Sequence, residues 1–437
     1  MAERGSHGQS QGFQTILEDD ALRHSYQRKV VALGSVIAIV ASCALAQDWP
    51  QWRGPHRDGV STETGLLQQW PQTGPPLVWK ATGIGDGYST VSVIGDRIFT
   101  TGEKDETSFV HSLDLKDGKI LWSARIGQAG APGWGGFSGP RSTPTVDGDL
   151  LFVMGQFGEL VCVKAGDGAE VWRRHLEKDL GGKRPEWGYS ESVLVDGDRM
   201  VCTPGGSAGA IAALDKRTGT LLWQSKGFTD EAHYSSLVCA EICGIKQYVQ
   251  LTAESVVGIG TDGSLLWRAP RKGEVAVIPT PIVSGNKVYV TSGYNIGSNL
   301  LEIALVDGKL QARQVYAEKS PANQHGGAIL VGDHVYSYCD AKGWVCQELA
   351  TGKLMWAEKG QIGKGSVVYA DGRLYLRAED NGTVGLIEAT PQAYKEVGRF
   401  VQPGFGKLKT WPHPVVAAKR LFLRDQDVLL CYDVAIH

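Results

Sequence analysis

Residues 213–223 read Ala-Leu-Asp-Lys-Arg-Thr-Gly-Thr-Leu-Leu-Trp, and shorter versions of this stretch recur along the chain. Each version has Asp-Gly or Thr-Gly, then three further residues and a tryptophan. Because aspartate and glycine favour tight turns, each version predicts a hairpin turn that leads into a strand containing the tryptophan. The tryptophans of the complete versions are Trp122, Trp172, Trp223, Trp267 and Trp356.

The spacing of these tryptophans indicates how the strands are arranged. Between Trp122 and Trp267, successive versions are 50, 51 and 44 residues apart, and each interval contains short strands with two-residue apolar alternation. A repeat of about 40–50 residues with four short strands is typical of a propeller blade. Two weaker versions fit the series: one has Ala312 in place of the tryptophan, and one near residues 391–400 is degenerate.

The two ends of the repeat series predict a closed ring. Eight opening strands are present, but the last unit, which starts at Pro414, has no closing tryptophan strand. An orphan closing strand ending at Trp79 lies one period before the first blade. An open ring would leave strand edges unpaired. We therefore predict an all-β, eight-bladed propeller of four-stranded antiparallel blades, spanning residues 47–437 as a single domain and closed by the strand of Trp79.

Residues 1–46 have the order of regions found in a secretory signal peptide, preceded by an N-terminal extension. Two basic residues at 28–29 precede an apolar run, and Ala-Leu-Ala at 44–46 matches a small-residue cleavage site. This pattern predicts export to the periplasm or the extracellular space, with no transmembrane span after cleavage. Two alternatives remain: a membrane anchor over residues 30–46, and lipid attachment at Cys43, which ends a lipobox-like Val-Ala-Ser-Cys sequence.

Charge and motifs exclude several function classes. The 437-residue chain has a formal net charge of −3 and no long basic run, so we expect no nucleic-acid partner. No P-loop, G-x-S-x-G or H-E-x-x-H motif is present, and we assign no catalytic residue. The eight cysteines include no C-x-x-C pair, and we predict no metal site. Cys239 and Cys243 are either free thiols or a disulfide.

Residues 213–223 fit the pattern A-x-D-x-x-T-G-x-x-x-W, and on this basis the chain resembles the pyrroloquinoline-quinone-type (PQQ-type) propeller family. The resemblance covers about the whole chain after residue 46. In that family the pattern is a tryptophan-docking motif. It implies that each tryptophan packs against the next blade and donates its indole N–H to a backbone carbonyl. The residues given this structural role are Trp79, Trp122, Trp172, Trp223, Trp267 and Trp356.

The resembled family includes both enzymes and scaffolds. Its quinoprotein alcohol dehydrogenases hold the quinone and calcium over the propeller axis, with an aspartate base, acidic and amide calcium ligands and, in many members, a disulfide between neighbouring cysteines. This chain has no adjacent cysteine pair, and Glu191 is the only acidic residue in the set expected near the axis. Other members, such as the propeller lipoprotein of the outer-membrane β-barrel assembly machinery, bind no quinone. We expect no cofactor, with PQQ and calcium as the alternative.

Polar and aromatic residues precede the first strand of most repeats. In a propeller these lead-in segments gather at one mouth of the central channel. Cations and histidines there would suit a small anionic or polyhydroxylated ligand, whereas the alternative is a solvated channel lining. The predicted ligand-binding residues are Tyr88, Arg141, Ser142, Tyr189, Glu191, His233, Tyr234, His325, Lys364 and His413.

Three function classes follow from these observations. We favour an exported scaffold of the cell envelope that binds other envelope proteins or a small ligand, as a monomer and without catalysis. The first alternative is a periplasmic PQQ-dependent quinoprotein similar to the alcohol dehydrogenases. The second is a carbohydrate-acting propeller enzyme that uses the residues of the mouth.

Overall fold

The strands form eight sheets, in a computed structural model that describes residues 48–133, 136–360, 362–406 and 408–437. Seven sheets have four strands and one has five. Each sheet contains one repeat, and consecutive strands pair antiparallel. The predicted eight-bladed, all-β propeller is therefore confirmed. The residues of these described ranges belong to one compact unit. The predicted signal peptide and the lipid attachment at Cys43 concern residues outside the described part of the chain.

Blades 1 to 4 follow one another along the chain. Blade 1 consists of Ser92–Ile94, Arg97–Lys104, Thr107–Asp114 and Ile120–Gln128. Blade 2 consists of Thr145–Asp147, Leu150–Met154, Glu159–Lys164 and Glu170–His175. Blade 3 consists of Leu194–Asp196, Arg199–Cys202, Ala212–Asp215 and Leu221–Gln224. Blade 4 consists of Val238–Ile242, Ile245–Leu251, Ser255–Gly260 and Leu265–Pro270. In the described ranges there is one helix, Leu176–Leu180, and no helix long and apolar enough to cross a bilayer.

Blades 5 to 8 complete the ring. Blade 5 consists of Ile282–Ser284, Lys287–Ser292, Gly297–Val306 and Lys309–Glu318. Blade 6 consists of Ala328–Val331, His334–Cys339, Gly343–Glu348 and Leu354–Glu358. Blade 7 consists of Gly365–Ala370, Arg373–Ala378, Thr383–Glu388 and Glu396–Val401, with Val60–Ser61 added in parallel to its first strand. Blade 8 consists of Val415–Ala417, Arg420–Asp425, Val428–Asp433 and, as its fourth strand, Leu77–Ala81.

The segment of residues 49–61, here called the plug, crosses the propeller axis. First strands of neighbouring blades contact one another and so surround this axis. The backbone of the plug bonds to the first strands of blades 1, 2 and 7, through Trp49 with Val93, Pro50 with Val146 and Gly59 with Tyr369. Blades 8 and 1 separate blade 7 from blade 2, so the backbone of the plug bridges this arc of the ring on the side of the first strands.

Two buried arginines attach the plug to further blades. Arg57 donates hydrogen bonds to the carbonyls of Ser192 and Val193 at blade 3, and Arg53 donates to the carbonyl of Ala328 at blade 6. Both side chains are almost fully buried, so these bonds compensate for much of the cost of removing the guanidinium groups from water. The repeat pattern contained no signal for this segment.

Tryptophan docking takes place at most blade junctions. The indole N–H groups of Trp79, Trp122, Trp172 and Trp356 donate to backbone carbonyls of the next blade, at 2.8–3.3 Å. The glycine of the next turn lies against the ring: a Cβ on Gly219 would lie 2.7 Å from Trp172. Trp223 packs in the same way, against Gly263, but its N–H has no partner among the described residues, so the predicted hydrogen bond is wrong there.

Blade 5 departs from the predicted pattern because its outer hairpin is longer. Its two strands have ten residues each, and Ala312 pairs with Ile303 far out on this hairpin. The docking position falls instead on Tyr316, which stands at the bulge and donates its hydroxyl to the carbonyl of Leu349. The turn at Gly308 is displaced from its neighbours. Trp267 of blade 4 therefore donates its N–H to the side chain of Gln247 and not to a backbone carbonyl.

Blade 7 has a glycine where other blades have the docking residue. Gly398 occupies the bulge position of its last strand, and Trp70 fills the space, since a Cβ on Gly398 would lie 2.6 Å from the Cβ of Trp70. The Trp70 ring lies edge-on to Phe400 and Tyr375. The degenerate repeat is thus completed by a side chain from the segment before blade 1.

In the described part of the chain, Cys239 and Cys243 are free thiols.

Candidate ligand cavity at the propeller mouth

The lead-in segments of the blades enclose a cavity of about 260 Å³ at one mouth of the propeller. Aromatic side chains supply much of its wall, and the plug supplies part of its floor. The aromatic lining residues are Trp52, Tyr88, Phe137, Trp187, Tyr234, Tyr294 and Trp411. The other lining residues are Arg141, Ser190, Ser192, Ser236, Ala276, Ile278, Gln324, His325 and His413.

The aromatic rings form two groups. On one side, Trp411 packs against Tyr88 and Phe137, with ring centroids 4.7 and 5.1 Å apart. On another side, Trp187 stacks on Tyr234 with centroids 5.8 Å apart and planes inclined by 24°. Flat apolar faces held by mutual packing form a preorganised surface for a ring-shaped ligand.

The floor of the cavity is closed by the plug. Trp52 lies 4.6 Å from the ring of His413 and donates its N–H to Thr280 Oγ1 at 2.9 Å. His413 Nε2 lies 3.0 Å from the carbonyl oxygen of His325. Burial lowers the pKa of His413 to about 3, so the ring is neutral at neutral pH and donates its Nε2–H to this carbonyl. Trp52 and His413 therefore lie together in the lining of the cavity.

Arg141 is the cation of the lining. Its guanidinium donates to the carbonyl of Phe137 at 2.8 Å and lies 5.6 Å from the ring centroid of Tyr88. Among the described residues, no carboxylate oxygen lies within ion-pair distance of it. Burial lowers the pKa of Arg141, but a guanidinium keeps its charge in proteins. The site therefore holds a positive charge that neutral oxygens only partly balance.

His325 and Glu379 form a buried pair beside the cavity. His325 Nε2 lies 3.3 Å from Glu379 Oε2, which also accepts the indole N–H of Trp411 at 3.0 Å. The imidazole is not aligned for a hydrogen bond, and neither ring nitrogen has a partner among the described residues. Burial lowers the pKa of His325 and raises the pKa of Glu379. The pair therefore carries less charge than the same two groups in water.

The structure brings half of the predicted mouth residues together. Tyr88, Arg141, Tyr234, His325 and His413 line the cavity. The other five do not line it, because successive residues of an extended segment point to opposite sides. Around blade 3, for example, Ser190 lines the cavity while Tyr189 and Glu191 on either side of it are buried in the protein.

The five remaining residues have other contacts. Tyr189 donates its hydroxyl to the carbonyl of Pro204, and Glu191 accepts hydrogen bonds from the backbone and side chain of Thr203. The Ser142 carbonyl accepts a hydrogen bond from the hydroxyl of Thr101, and His233 Nδ1 accepts one from the backbone N–H of Val277. Lys364 pairs with Asp340 at 2.8 Å.

Several functional residues were missed by the repeat analysis. Trp52 comes from the plug, which has no counterpart in the other repeats. Tyr294 belongs to the turn between the second and third strands of blade 5. Glu379 follows the second strand of blade 7 and adds an acidic group that the lead-in segments do not contain. The loop residue Trp134, which precedes Phe137, lies outside the described residues.

Comparisons with known proteins agree with the architecture. The fold is similar to that of BamB from Moraxella catarrhalis, with 15% identity, 83% of this chain and 98% of that chain covered, and a TM-score of 0.59. It is similar to quinohemoprotein alcohol dehydrogenase from Comamonas testosteroni, with 11% identity, 89% and 81% covered, and a TM-score of 0.59. It is also similar to the computationally designed protein Ika8, with 13% identity, 82% and 100% covered, and a TM-score of 0.58. At these identities the likeness concerns the fold alone.

Eight blades with a recurring tryptophan-docking turn define the class of PQQ-like propellers. Within this class, the family model described as outer membrane protein assembly factor BamB matches residues 106–358, which is more than half of the chain. The chain belongs to this family, as the resemblance at residues 213–223 predicted. No curated protein sequence matches the chain.

Proposed function

We propose that this chain is an exported PQQ-like propeller of the cell envelope that acts as a binding scaffold without catalysis. The observation that carries the proposal is the aromatic cavity, which is open at the mouth and closed by Trp52 of the plug. A concave, mostly apolar site with a few placed polar groups is the usual form of a small-molecule site. The description of the family as an assembly factor of the outer membrane supports the envelope and the scaffold role.

The donor set argues against a quinone enzyme. A calcium-bound quinone needs several oxygen ligands for the metal and a carboxylate base beside the substrate. None of the described residues that line the cavity is acidic. Glu191 already accepts hydrogen bonds from Thr203, and Glu379 already accepts one from the indole N–H of Trp411. In the ranges that the structure describes, no three His, Cys, Asp or Glu residues are grouped as metal ligands. The residues present do not fit this cofactor, and we derive no reaction through it.

The proposal is tested by analysing what the protein holds when it is isolated from its own host. Mature protein is purified from the envelope fraction and denatured, and the released small molecules are identified by mass spectrometry. A variant with Arg141→Ala and Trp187→Ala is the matched control. We expect a compound that is released by the wild type and absent from the variant.

A second measurement addresses catalysis. Purified protein is incubated with the quinone, calcium, primary alcohols and an artificial electron acceptor. We expect no turnover above a protein-free control. Turnover that depends on the protein, together with no released compound, would overturn the binding scaffold in favour of a dehydrogenase.

A further inference from the structure

The ligand class can be narrowed from the contacts of the cavity, and this narrower inference rests on the proposed binding function. The first observation is Arg141, which lines the cavity together with both aromatic groups. Its guanidinium lies 5.6 Å from the ring centroid of Tyr88 and donates to the carbonyl of Phe137 at 2.8 Å. A ligand held against the aromatic lining would therefore meet the guanidinium. Arg141 can form two parallel hydrogen bonds to a carboxylate, which is the geometry that guanidinium groups favour.

The second observation concerns hydroxyl groups on the cavity wall. Ser192 Oγ accepts the backbone N–H of Thr143 at 2.9 Å, and Ser236 Oγ accepts the backbone N–H of Ser192 at 3.0 Å. A serine hydroxyl that accepts a backbone N–H keeps its own hydrogen as a donor. Both serines line the cavity, so they can donate to oxygen atoms of a ligand.

The third observation is the imidazole of His325, whose side chain lines the cavity. Its Nε2 lies 3.3 Å from Glu379 Oε2 without being aligned for a hydrogen bond, and neither ring nitrogen makes a hydrogen bond among the described residues. A buried polar group without a partner is costly and is relieved when a ligand supplies one. A neutral imidazole has one donor and one acceptor nitrogen, and so it suits a hydroxyl, which is both acceptor and donor.

From these contacts we infer that the cavity binds a sugar acid, with its carboxylate on Arg141 and its ring against the aromatic wall that Trp187 and Tyr234 form. The face of a sugar ring that carries C–H bonds is apolar and matches an aromatic face. Its hydroxyls meet Ser192, Ser236 and His325. The volume of about 260 Å³ lies just below the usual range of about 300–1,000 Å³ for drug-sized ligands. This size favours one sugar residue, free or at the end of a chain.

The test uses the purified mature protein and four probes: glucuronate, galacturonate, and the neutral sugars glucose and galactose. Binding is measured by calorimetry and by tryptophan fluorescence. We expect at least one sugar acid to bind about tenfold or more tightly than its neutral counterpart, the effect of one charge-assisted hydrogen bond. Arg141→Gln should remove this preference and Arg141→Lys should restore part of it. The exposed Arg217→Gln is the matched control and should bind as the wild type does.

Three results would overturn the inference. They are equal affinity for the acid and its neutral sugar, binding of benzoate as tightly as the sugar acid, and no binding of any probe by a protein that melts normally. If the compound released from the native protein is not a sugar acid, this inference fails while the proposed binding function stands. If neither a released compound nor probe binding is found, and dehydrogenase turnover is present, both fail.

Discussion

The tryptophans at the blade junctions and those at the mouth have different surroundings. Trp172 is buried between two blades, donates its N–H to the carbonyl of Lys216 and packs against Gly219. Trp187 is only half-buried and stacks on Tyr234 beside an open cavity. The first arrangement holds the side chain between two blades, whereas the second places it on the wall of the cavity. The same residue type thus holds the ring together in one region and offers a surface in the other.

The strongest test of this difference replaces one tryptophan of each kind with alanine and compares the losses of stability. Trp172→Ala should cost about 3–5 kcal/mol of unfolding free energy, because it leaves a cavity between blades and an unpaired carbonyl. Trp187→Ala should cost about 1 kcal/mol or less, since its ring is partly exposed. Urea denaturation measures both values. Equal losses would show that the two groups do not differ in their contribution to stability.

A buried carboxyl beside the mouth should determine part of how stability depends on pH: Glu191 is next to Ser190 of the cavity lining but is itself buried in the protein. Burial raises the pKa of Glu191 from 4.5 to about 7, so the folded state holds a proton that the unfolded state releases between these values. The stabilisation is complete below pH 4.5 and is lost as the pH rises through about 7. At about 1.36 kcal/mol per pKa unit, the loss is about 3–4 kcal/mol.

The measurement for Glu191 is a series of urea denaturations from pH 4.5 to 8. Wild type minus Glu191→Gln should show the full decrease, because glutamine does not titrate. Taking this difference cancels the opposite contribution of His413, whose lowered pKa makes the protein less stable as the pH falls below 6.5. The exposed Glu241→Gln should follow the wild type. A constant difference across the series would contradict the prediction.

Two glycines can be used to test whether the turn takes part in tryptophan docking at the blade junctions. Gly219 and Gly308 each lie in the turn between the third and fourth strands of a blade, with φ of 68° and 74°, but only at Gly219 would a Cβ meet a ring, at 2.7 Å from Trp172. Both alanine variants place a side chain in the left-handed region, at about 1–2 kcal/mol each. Gly219→Ala should lose a further 1–3 kcal/mol or so from overpacking. Similar melting curves for the two variants would exclude a docking role for the turn.

The smallest effect is expected where the docking residue is a tyrosine. Tyr316→Phe removes the hydrogen bond from the hydroxyl to the carbonyl of Leu349 and leaves the ring in place. The expected cost is about 0.5–1.5 kcal/mol by chemical denaturation. Ala312→Gly, farther out on the same hairpin, is the control for local disturbance. A neutral Tyr316→Phe variant would mean that the ring alone docks blade 5.

The fold was predictable from the sequence where the repeat is local. The turn and the tryptophan lie four positions apart, so blades 1 to 4 and blade 6 could be recognised directly. In blade 5 the docking position was assigned to Ala312, but the longer hairpin of this blade moves it to Tyr316. In blade 7 the missing ring comes from Trp70, more than three hundred residues away along the chain. Spacing within one repeat contains no information on such a contact.

The candidate site was predictable only in part. Lead-in segments were correctly expected to meet at the mouth, but their alternating side chains divided the predicted residues between the cavity and the protein interior. Ser190 and its neighbour Glu191 are an example of this division. Trp52 could not be found, because the plug is bonded through backbone and arginine contacts to distant strands. No short-range pattern in the sequence indicates these pairings.

The plug has a consequence for the order in which the molecule can be assembled. Residues 49–61 lie inside the ring, and residues 77–81 pair with residues 428–433. Both segments are synthesised early, but they pair with strands that are synthesised later, as far along the chain as Tyr369 and residues 428–433. Contacts of such long sequence separation make folding slow. The native ring can form only after the last strand has been synthesised. A chain that crossed a membrane during its synthesis would therefore still be unfolded while it crossed.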